Sequence, residues 1–452
     1  MRGGWKATVA RTAGSASRLA GRGGTSLPGK VALRLDPHAI RTLSGGLSRT
    51  AVISATNGKT TTAAMVAAIL ARSRARLVSN TAGANMAGGI AAALLYGEGD
   101  TGLFEVDEFW LDRIVPELRP DALLLANLFR DQLDRYGELE TIADRWAGVV
   151  ARATDTTLVL NADDPLVADL GRDRRDAVHF GVDDLSMAMP GLQHAADSTH
   201  CRRCGAPYVY DAVFLGHQGH YHCPNGHARR PEPAVAATGI VLDGVRSARF
   251  TLRTPDGEAP VALPLPGLYN VYNALGAAAL AHALGAPLAD IAAGLHDVAA
   301  AFGRAETVRI GPRDLSILLV KNPAGANEVL RTLALEDGEH DLLAVLNDRV
   351  ADGRDVSWVW DADFELLAGR LRRATCSGTR AAEMALRLKY AGVPADRIVV
   401  EDELAPALDR ALADAPDGGP PIPPLFALPT YTAMLALREE LVRRGVAGSS
   451  FG

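Results

Sequence analysis

The sequence predicts an α/β fold of at least two domains, each built on a mostly parallel sheet, with a small cysteine-rich insertion in the first. Short apolar runs typical of buried parallel strands alternate with helical segments along most of the chain. The runs cover residues 50–54, 103–106, 122–126, 157–160, 315–320, 341–346 and 397–400. A chain of 452 residues is too long for one compact core, which favours division into domains.

Composition and charge favour an ordinary globular protein. With 48% hydrophobic and 22% charged residues and a net charge of −6, the chain shows no bias towards nucleic acid. The first 35 residues carry seven basic side chains and no acidic one, and no apolar segment follows as in a signal peptide. We therefore predict a basic amphipathic arm over residues 1–45 of a cytoplasmic protein. Peripheral contact with a membrane surface is the alternative.

A phosphate-binding loop is the strongest motif in the sequence. Ser-Ala-Thr-Asn-Gly-Lys-Thr-Thr at 54–61 follows an apolar run and precedes a helical pattern at 63–71, the strand–loop–helix setting that such a loop requires. Backbone N–H groups and a helix N-terminus suit an anion there. We expect Lys59 to reach the β- and γ-phosphates of ATP and Thr60 to bind Mg²⁺. Because Ile53 stands where the general pattern has glycine, a chance Gly-Lys-Thr is the alternative.

Clustered cysteines predict a metal site. Cys201-Arg-Arg-Cys204 forms one tight knuckle, and Cys223 with His227 forms a plausible second one, so that two hairpins could hold one tetrahedral Zn²⁺. We place this zinc-ribbon insertion at about 195–232 and expect a structural site, with free cysteines in a loop as the alternative. Rival candidates for the fourth ligand are His217, His220 and His222.

The loop at 56–61 resembles that of Mur ligases and folylpolyglutamate synthases, which use ATP to phosphorylate a carboxylate before an amine captures it. The resemblance implies a central ATP-binding domain over 46–304 and a C-terminal Rossmann-like domain over 305–452. It also implies a two-asparagine segment packed beside the adenine, although the first asparagine could simply cap a helix. The implied ATP-binding residues are Thr56, Asn57, Gly58, Lys59, Thr60, Thr61, Asn270 and Asn273.

Other parts of the family pattern concern metal and phosphate. Acids close the second apolar run, and Glu105, or else Glu108, would bind Mg²⁺ together with the loop threonine, because a divalent ion offsets the repulsion between ATP and a carboxylate. Arg304 lies in a hinge-like Gly-Arg-Ala-Glu segment and would approach the phosphates as the domains close. Two departures stand out. Gln132 replaces a histidine that contacts metal in the family, and only Asn-Pro at 322–323 is kept of a later family motif.

One subfamily fits better than the others. The phosphate loop begins at residue 54, which leaves no room for the N-terminal substrate domain of ordinary Mur ligases, and folylpolyglutamate synthases carry no cysteine ribbon. Together with the segments at 23–29 and 351–361, these features resemble MurT, the ligase subunit of lipid II isoglutaminyl synthase. The resemblance implies ATP-dependent amidation of the D-glutamate α-carboxylate of lipid II to D-isoglutamine, in peptidoglycan biosynthesis.

The resemblance also implies a partner, a GatD-type glutamine amidotransferase subunit that supplies ammonia in a heterodimer. Cys376 lacks the elbow of a glutaminase nucleophile, and the other cysteines fall in the insertion. One aspartate of 351–361 would orient the partner's catalytic histidine, and we expect Asp355, with Asp352 as the alternate. Two further functions stay open: an amide ligase that adds an amino acid, as folylpolyglutamate synthases do, and a non-catalytic subunit that binds ATP and zinc.

Overall fold

The computed structural model describes residues 8–12, 26–80, 84–131, 139–298, 304–413 and 423–447. Its strands are β1 (Arg49–Ser54), β2 (Leu77–Ser79), β3 (Thr101–Glu105), β4 (Ala122–Leu125), β5 (Thr157–Asn161), β6 (Val178–Val182), β7 (Val209–Leu215), β8 (Gln218–His222), β9 (Val235–Asp243), β10 (Ser247–Thr254), β11 (Gly257–Leu263), β12 (Arg304–Ile310), β13 (Arg313–Leu318), β14 (His340–Val345), β15 (Leu371–Ser377), β16 (Ile398–Val400) and β17 (Leu425–Pro429). Its helices are α1 (Leu27–Leu35), α2 (Ala39–Ser44), α3 (Lys59–Arg72), α4 (Ala87–Tyr96), α5 (Leu111–Leu118), α6 (Leu139–Arg152), α7 (Pro165–Leu170), α8 (Leu268–Ala283), α9 (Leu288–His296), α10 (Pro323–Ala334), α11 (Ala381–Tyr390), α12 (Leu404–Leu412) and α13 (Tyr431–Arg443).

The first sheet has nine strands in the order β11-β10-β9-β6-β5-β4-β1-β3-β2. Pairing is parallel from β2 across to β9, whereas β10 pairs antiparallel with both β9 and β11. The loop that follows β1 starts at the carboxyl edge of the sheet, and β1 lies between β3 and β4. In an open α/β sheet this crevice is where ligands bind.

Helices cover both faces of this sheet, which explains why its central strands are apolar without alternation. Ile53 of β1 packs on one side with α3, α8 and α9. Val52 packs on the other side with α4, α5 and α6, around the fully buried indole of Trp146. The two helical layers hold β1, and therefore the start of the phosphate loop, rigidly from both sides.

Helices α1 and α2 lie within the range predicted as a basic arm, and both pack against α4. The contact with α1 is a close approach of two backbones, because a Cβ at Gly29 would come within 1.8 Å of the Gly88 carbonyl oxygen. Residues 26–44 are therefore part of the helical layer of the first domain. Residues 1–7 and 13–25 of the predicted arm lie outside the described residues.

The second sheet has six strands in the order β12-β13-β17-β14-β15-β16, all parallel except for the β12–β13 pair. Helices α10 and α11 pack on one face, and α12 and α13 pack on the other. The insertion between β6 and β9 carries the β7–β8 hairpin as a separate two-stranded sheet. Among the helices of the described residues, none combines the length and the apolar character needed to span a membrane.

Candidate active site

The loop between β1 and α3 is held by the segment that follows β4. The Thr56 N–H donates to the Asn127 carbonyl oxygen (3.0 Å), and the backbone of Asn57 exchanges two hydrogen bonds with the Asn127 side chain (2.9 and 3.0 Å). The Thr56 hydroxyl accepts a hydrogen bond from the Phe129 N–H (3.0 Å). These bonds fix the loop over the carboxyl edge of the sheet. The N-terminus of α3, which begins at Lys59, is thereby aimed at any anion bound in the loop.

Lys59 is buried and held in its charged form. Its ammonium group donates to a carboxylate oxygen of Glu108 (2.8 Å) and to the carbonyl of Ala55. Burial opposes the charge, but the attraction of Glu108, aided by Glu105, outweighs it and raises the pKa of Lys59. Trp146 in turn fixes the backbone of Glu108, because its indole N–H donates to the Glu108 carbonyl oxygen (3.1 Å).

Three acidic side chains lie at or just beyond the carboxyl end of β3. Glu105 accepts a hydrogen bond from the Thr60 hydroxyl (2.9 Å), and its own N–H donates to the Asn80 side chain (3.0 Å). Burial, together with the neighbouring Glu108, raises the pKa of Asp107. Carboxylates and a hydroxyl are ligands that Mg²⁺ accepts, and a divalent cation would offset the crowding of these acids. The sequence left Glu105 and Glu108 as alternative metal ligands. In the structure Glu105 bonds Thr60, whereas Glu108 bonds Lys59.

Helix α8 brings its two asparagines against the phosphate loop. Asn273 accepts a hydrogen bond from the Thr62 hydroxyl (3.4 Å) and donates to the side chain of Asn270 (3.1 Å), and both asparagines are buried. Gly58 has a φ of +85°, and a Cβ there would come within 2.0 Å of the Asn273 side-chain oxygen. Position 58 therefore requires glycine for two independent reasons. The predicted contact of these asparagines with adenine stays a prediction.

We expect Gly58→Ala to lower the affinity for ATP by about tenfold or more. A left-handed alanine costs about 1–2 kcal/mol, and relieving the collision with Asn273 displaces the loop further. Isothermal titration calorimetry with a non-hydrolysable ATP analogue measures the effect. Gly239→Ala is the matched control, because Gly239 has a φ of +59° and no atom within 4 Å of the added Cβ. Tight binding by Gly58→Ala would contradict this account of the loop.

The second domain reaches the same loop. Asn322 exchanges two side-chain hydrogen bonds with Asn57 (2.9 and 3.3 Å), and the neighbouring Lys321 donates to a carbonyl oxygen of the loop (3.1 Å). Sequence reasoning kept the Asn-Pro pair from the family pattern but missed the lysine. Arg304 is the first residue of β12, but its side chain lies outside the described residues, as does Gln132. The predicted role of Arg304 therefore stays a prediction.

The two aspartates considered for the partner's active site have different surroundings. Asp352 is buried, and its carboxylate accepts hydrogen bonds from the N–H (2.7 Å) and the hydroxyl (2.5 Å) of Thr432. Asp355 is exposed, and hydrogen bonds from Ser357 lower its pKa, which keeps it ionised at neutral pH. Asp352 thus anchors the segment within its own domain, whereas Asp355 presents a charged carboxylate at the surface.

The insertion brings the four predicted zinc ligands together. The sulfur atoms of Cys201, Cys204 and Cys223 and a ring nitrogen of His227 all lie within 4.8 Å of one another. The sulfurs of Cys204 and Cys223 are 3.6 Å apart, close to the separation set by tetrahedral Zn–S bonds of about 2.3 Å. A hydrogen bond from Asn225, with others from the backbone and from His227, lowers the pKa of Cys204 to about 6, which favours the thiolate that binds metal.

The two halves of this cluster have the same backbone geometry. Gly205 follows the first knuckle with a φ of +70°, and Gly226 lies in the second with a φ of +73°. The Cys201 N–H donates to the Ala206 carbonyl (2.8 Å), and the Cys223 N–H donates to the Ala228 carbonyl (2.7 Å). Repeated knuckles of this kind are how zinc ribbons are built, so the residues fit a structural Zn²⁺.

The purified protein is expected to contain about one zinc ion per chain. Cys201→Ser and His227→Ala should lose the metal and lower the melting temperature, because little apolar core holds the insertion together otherwise. Atomic absorption and calorimetry measure the two effects. Cys376→Ala is the control and should retain the zinc. Stoichiometric zinc in the Cys201→Ser variant would exclude this ligand set.

Cys376 lies within a strand of the second sheet rather than at a reactive turn. It belongs to β15 and is fully buried, and this burial raises the pKa of its thiol to about 12. A thiol in such surroundings is inert as a nucleophile at neutral pH. The surroundings of Cys376 thus disfavour the thiolate that release of ammonia from glutamine would need.

Two family models match the chain. The Mur ligase middle domain matches residues 53–225, and the MurT ligase C-terminal domain matches residues 319–434. The fold is similar to that of a pseudomurein peptide ligase type C from Methanothermus fervidus, with a TM-score of 0.68, 24% identity, and coverage of 89% of this chain and 80% of that one. It is also similar to folylpolyglutamate synthase from Mycobacterium tuberculosis, with a TM-score of 0.63, 18% identity, and coverage of 92% and 94%.

The fold and the phosphate loop, with its buried Lys59 followed by Thr60, define an ATP-dependent ligase of the Mur type. Two relatives match nearly the whole chain. They are the MurT subunits of lipid II isoglutaminyl synthase (glutamine-hydrolyzing) from Streptococcus pneumoniae, at 33% identity, and from Staphylococcus aureus, at 32%, each covering 98% of both chains. The chain therefore belongs to the MurT family.

Proposed function

We propose that this chain is the ligase subunit of a glutamine-hydrolysing lipid II isoglutaminyl synthase. It uses ATP to convert the D-glutamate α-carboxylate of lipid II to the amide of D-isoglutamine, in peptidoglycan biosynthesis. The observation that carries the proposal is full-length likeness to two MurT subunits, and it is supported by the hydrogen bonds of Lys59 with Glu108 and of Thr60 with Glu105 at the phosphate loop. We place the reaction at the cytoplasmic face of the membrane, where ATP and a lipid-linked substrate can meet.

The first step transfers the γ-phosphoryl group to the substrate carboxylate. A carboxylate oxygen forms a bond to the γ-phosphorus while the bond to the bridging oxygen breaks, and ADP leaves with that electron pair. Lys59 and the N-terminus of α3 stabilise the charge that develops on the phosphoryl oxygens. Thr60 and Glu105 would hold Mg²⁺, which supplies positive charge between the phosphate and the carboxylate. We propose Arg304 as a further phosphate contact.

The second step replaces phosphate by ammonia. The nitrogen attacks the acyl carbon, phosphate leaves with the electron pair of the C–O bond, and a proton is lost to give the neutral amide. Closed domains keep water away from the acyl phosphate, and the hydrogen bonds between Asn57 and Asn322 join the two domains at the loop. A separate glutaminase subunit of the GatD type supplies the ammonia, which is supported by the burial of Cys376 and the raised pKa of its thiol.

An exposed aromatic surface near Asp355 suits this partner. Trp360 and Tyr390 stack edge to face with ring centroids 5.8 Å apart, although the residues are 47% and 71% exposed. Leu386, on the same helix as Tyr390, is also exposed. Aromatic side chains are enriched in protein interfaces, and exposed apolar clusters of this kind mark binding surfaces. We propose that the glutaminase docks here and receives Asp355 beside its catalytic histidine.

Trp360→Glu and Tyr390→Glu should each prevent co-purification with the glutaminase, because a charge would be buried in the apolar part of the interface. Amidation driven by added ammonium chloride should persist, since the recorded ring contacts of Trp360 are with Tyr390 and Arg387 of the second domain. Val241→Glu serves as the control, because Val241 is a comparably exposed apolar residue of the first domain. If both variants still form a stable complex, the interface lies elsewhere.

Reconstitution tests the proposed function as a whole. The complex is supplied with lipid II, MgATP and glutamine, and mass spectrometry of the muropeptide follows the change from carboxylate to carboxamide. We expect conversion that requires ATP and the acceptor, with either glutamine or ammonia as the nitrogen source. Products that contain an added amino acid would instead assign the chain to the amino-acid-adding amide ligases.

A further inference from the structure

Lys321 occupies a position in the active site that the sequence did not reveal. It lies between β13 and α10 in the second domain, yet its ammonium group donates to the Thr56 carbonyl oxygen of the phosphate loop (3.1 Å). It also pairs with the carboxylate of Asp131 (2.5 Å), which follows β4 of the first domain. The loop therefore receives one lysine from each domain, Lys59 from the first and Lys321 from the second.

The Thr56 carbonyl oxygen indicates which end of the nucleotide Lys321 would contact. The Lys59 ammonium also approaches the Thr56 carbonyl oxygen (3.5 Å), so the two ammonium groups flank one atom. In phosphate-binding loops the conserved lysine reaches the β- and γ-phosphates. Lys321 is thus placed at the γ-phosphate end, where the substrate carboxylate must also arrive.

The backbone at Lys321 is fixed relative to the loop by its neighbour. Asn322 exchanges two side-chain hydrogen bonds with Asn57 (2.9 and 3.3 Å). The same side chain caps α10 by accepting a hydrogen bond from the Gly325 N–H (2.8 Å). The positive end of a twelve-residue helix is therefore presented to the loop beside Lys321.

We propose that Lys321 is a catalytic residue, delivered by the second domain, that binds the γ-phosphoryl group of ATP and the acyl phosphate formed from it. The inference rests on the proposed function for the identity of the acceptor, but not for the contact with phosphate. Lys321 stays protonated throughout and donates hydrogen bonds to the non-bridging oxygens. It stabilises the charge that they gain while the phosphorus–oxygen bond to ADP breaks and the bond to the carboxylate forms. When ATP binds, the Lys321 ammonium group must leave the Asp131 carboxylate and pair with the phosphate instead.

The test compares two nucleotides on the full complex. For Lys321→Met we expect the affinity for a non-hydrolysable ATP analogue to fall by about tenfold, with the affinity for ADP unchanged, because only the former carries a γ-phosphate. Turnover should fall by about a hundredfold, and Lys321→Arg should restore part of it, since it keeps the charge. Calorimetry and steady-state kinetics give the two readouts.

A matched control separates phosphate binding from simple attachment of the domains. His194→Ala removes another ion pair between the domains, from His194 to Asp363 (2.9 Å), far along the chain from the phosphate loop. It should leave both nucleotide affinities as they are. Equal losses for ATP analogue and ADP in Lys321→Met, or full turnover in that variant, would overturn the proposal. A wild-type complex that fails to amidate lipid II while Lys321→Met still discriminates the nucleotides would refute the proposed function alone.

Discussion

Lys59→Met should reduce ATP-dependent amidation by about a thousandfold, with glutamine or with ammonia as the nitrogen source. The ammonium group is buried beside the carbonyl oxygens of the loop and is held charged by Glu108. Among the described residues, Lys59 and Lys321 are the two lysines recorded at the Thr56 carbonyl oxygen, and Lys321 belongs to the second domain, so the variant removes the charge that the first domain brings to the γ-phosphate. Release of ADP in the presence of lipid II measures the loss.

Two controls keep this result interpretable. Lys30→Met removes an exposed lysine of α1 and should have no effect on turnover. Retention of zinc by Lys59→Met shows that the first domain is still folded, because the insertion is part of that domain. A folded Lys59→Met variant with substantial turnover would show that the loop is not the nucleotide site.

Asp355→Ala should lower glutamine-driven amidation by about a hundredfold or more and leave ammonia-driven amidation intact. An aspartate beside a catalytic histidine holds the imidazole in its productive tautomer and stabilises the cation that forms during catalysis. Asp355 is suited to this task because Ser357 lowers its pKa and the carboxylate faces solvent. The split between the two nitrogen sources assigns the defect to the glutaminase step.

The neighbouring acids provide comparisons. Asp396→Asn changes an exposed acid of the same domain and should affect neither nitrogen source. Asp352→Asn should lower the melting temperature, because its carboxylate holds the backbone and hydroxyl of Thr432. If Asp355→Ala retains full glutamine-driven activity while Asp352→Asn loses it, the alternate aspartate carries the role.

Much of the first sheet could be predicted because burial on both faces leaves continuous apolar runs. The runs at 50–54, 103–106 and 122–126 correspond to β1, β3 and β4. Strand β10 could not be found in this way, because it is alternately buried and exposed and contains Arg249 and Arg253. Strand β15 is not among the apolar runs for a similar reason, since two arginines follow its first residue. Tertiary pairing, rather than local pattern, makes these segments strands.

In the candidate site, too, local motifs could be predicted from the sequence, whereas contacts between distant residues could not. The phosphate loop and the cysteine knuckles are local motifs, so spacing alone predicted Lys59 and the three cysteines of the insertion, whereas the choice of His227 over His217, His220 and His222 rested on less. The partners of Glu105 and Glu108, which are Thr60 and Lys59, are seen only in three dimensions, and the choice of metal ligand between the two glutamates stays a prediction. Contacts between residues 265 positions apart, such as those of Asn57 with Asn322, leave no signal in a single sequence.

The central claim is that the γ-phosphoryl group of ATP, bound at the loop, is transferred to a carboxylate. Transfer of an oxygen isotope tests this claim most directly. Lipid II labelled with oxygen-18 in the D-glutamate α-carboxylate is converted by the complex, and the phosphate released is examined by mass spectrometry. An acyl phosphate requires one labelled oxygen to appear in that phosphate for each amide formed. If the labelled substrate is converted to the amide but the released phosphate carries no label, the account is contradicted.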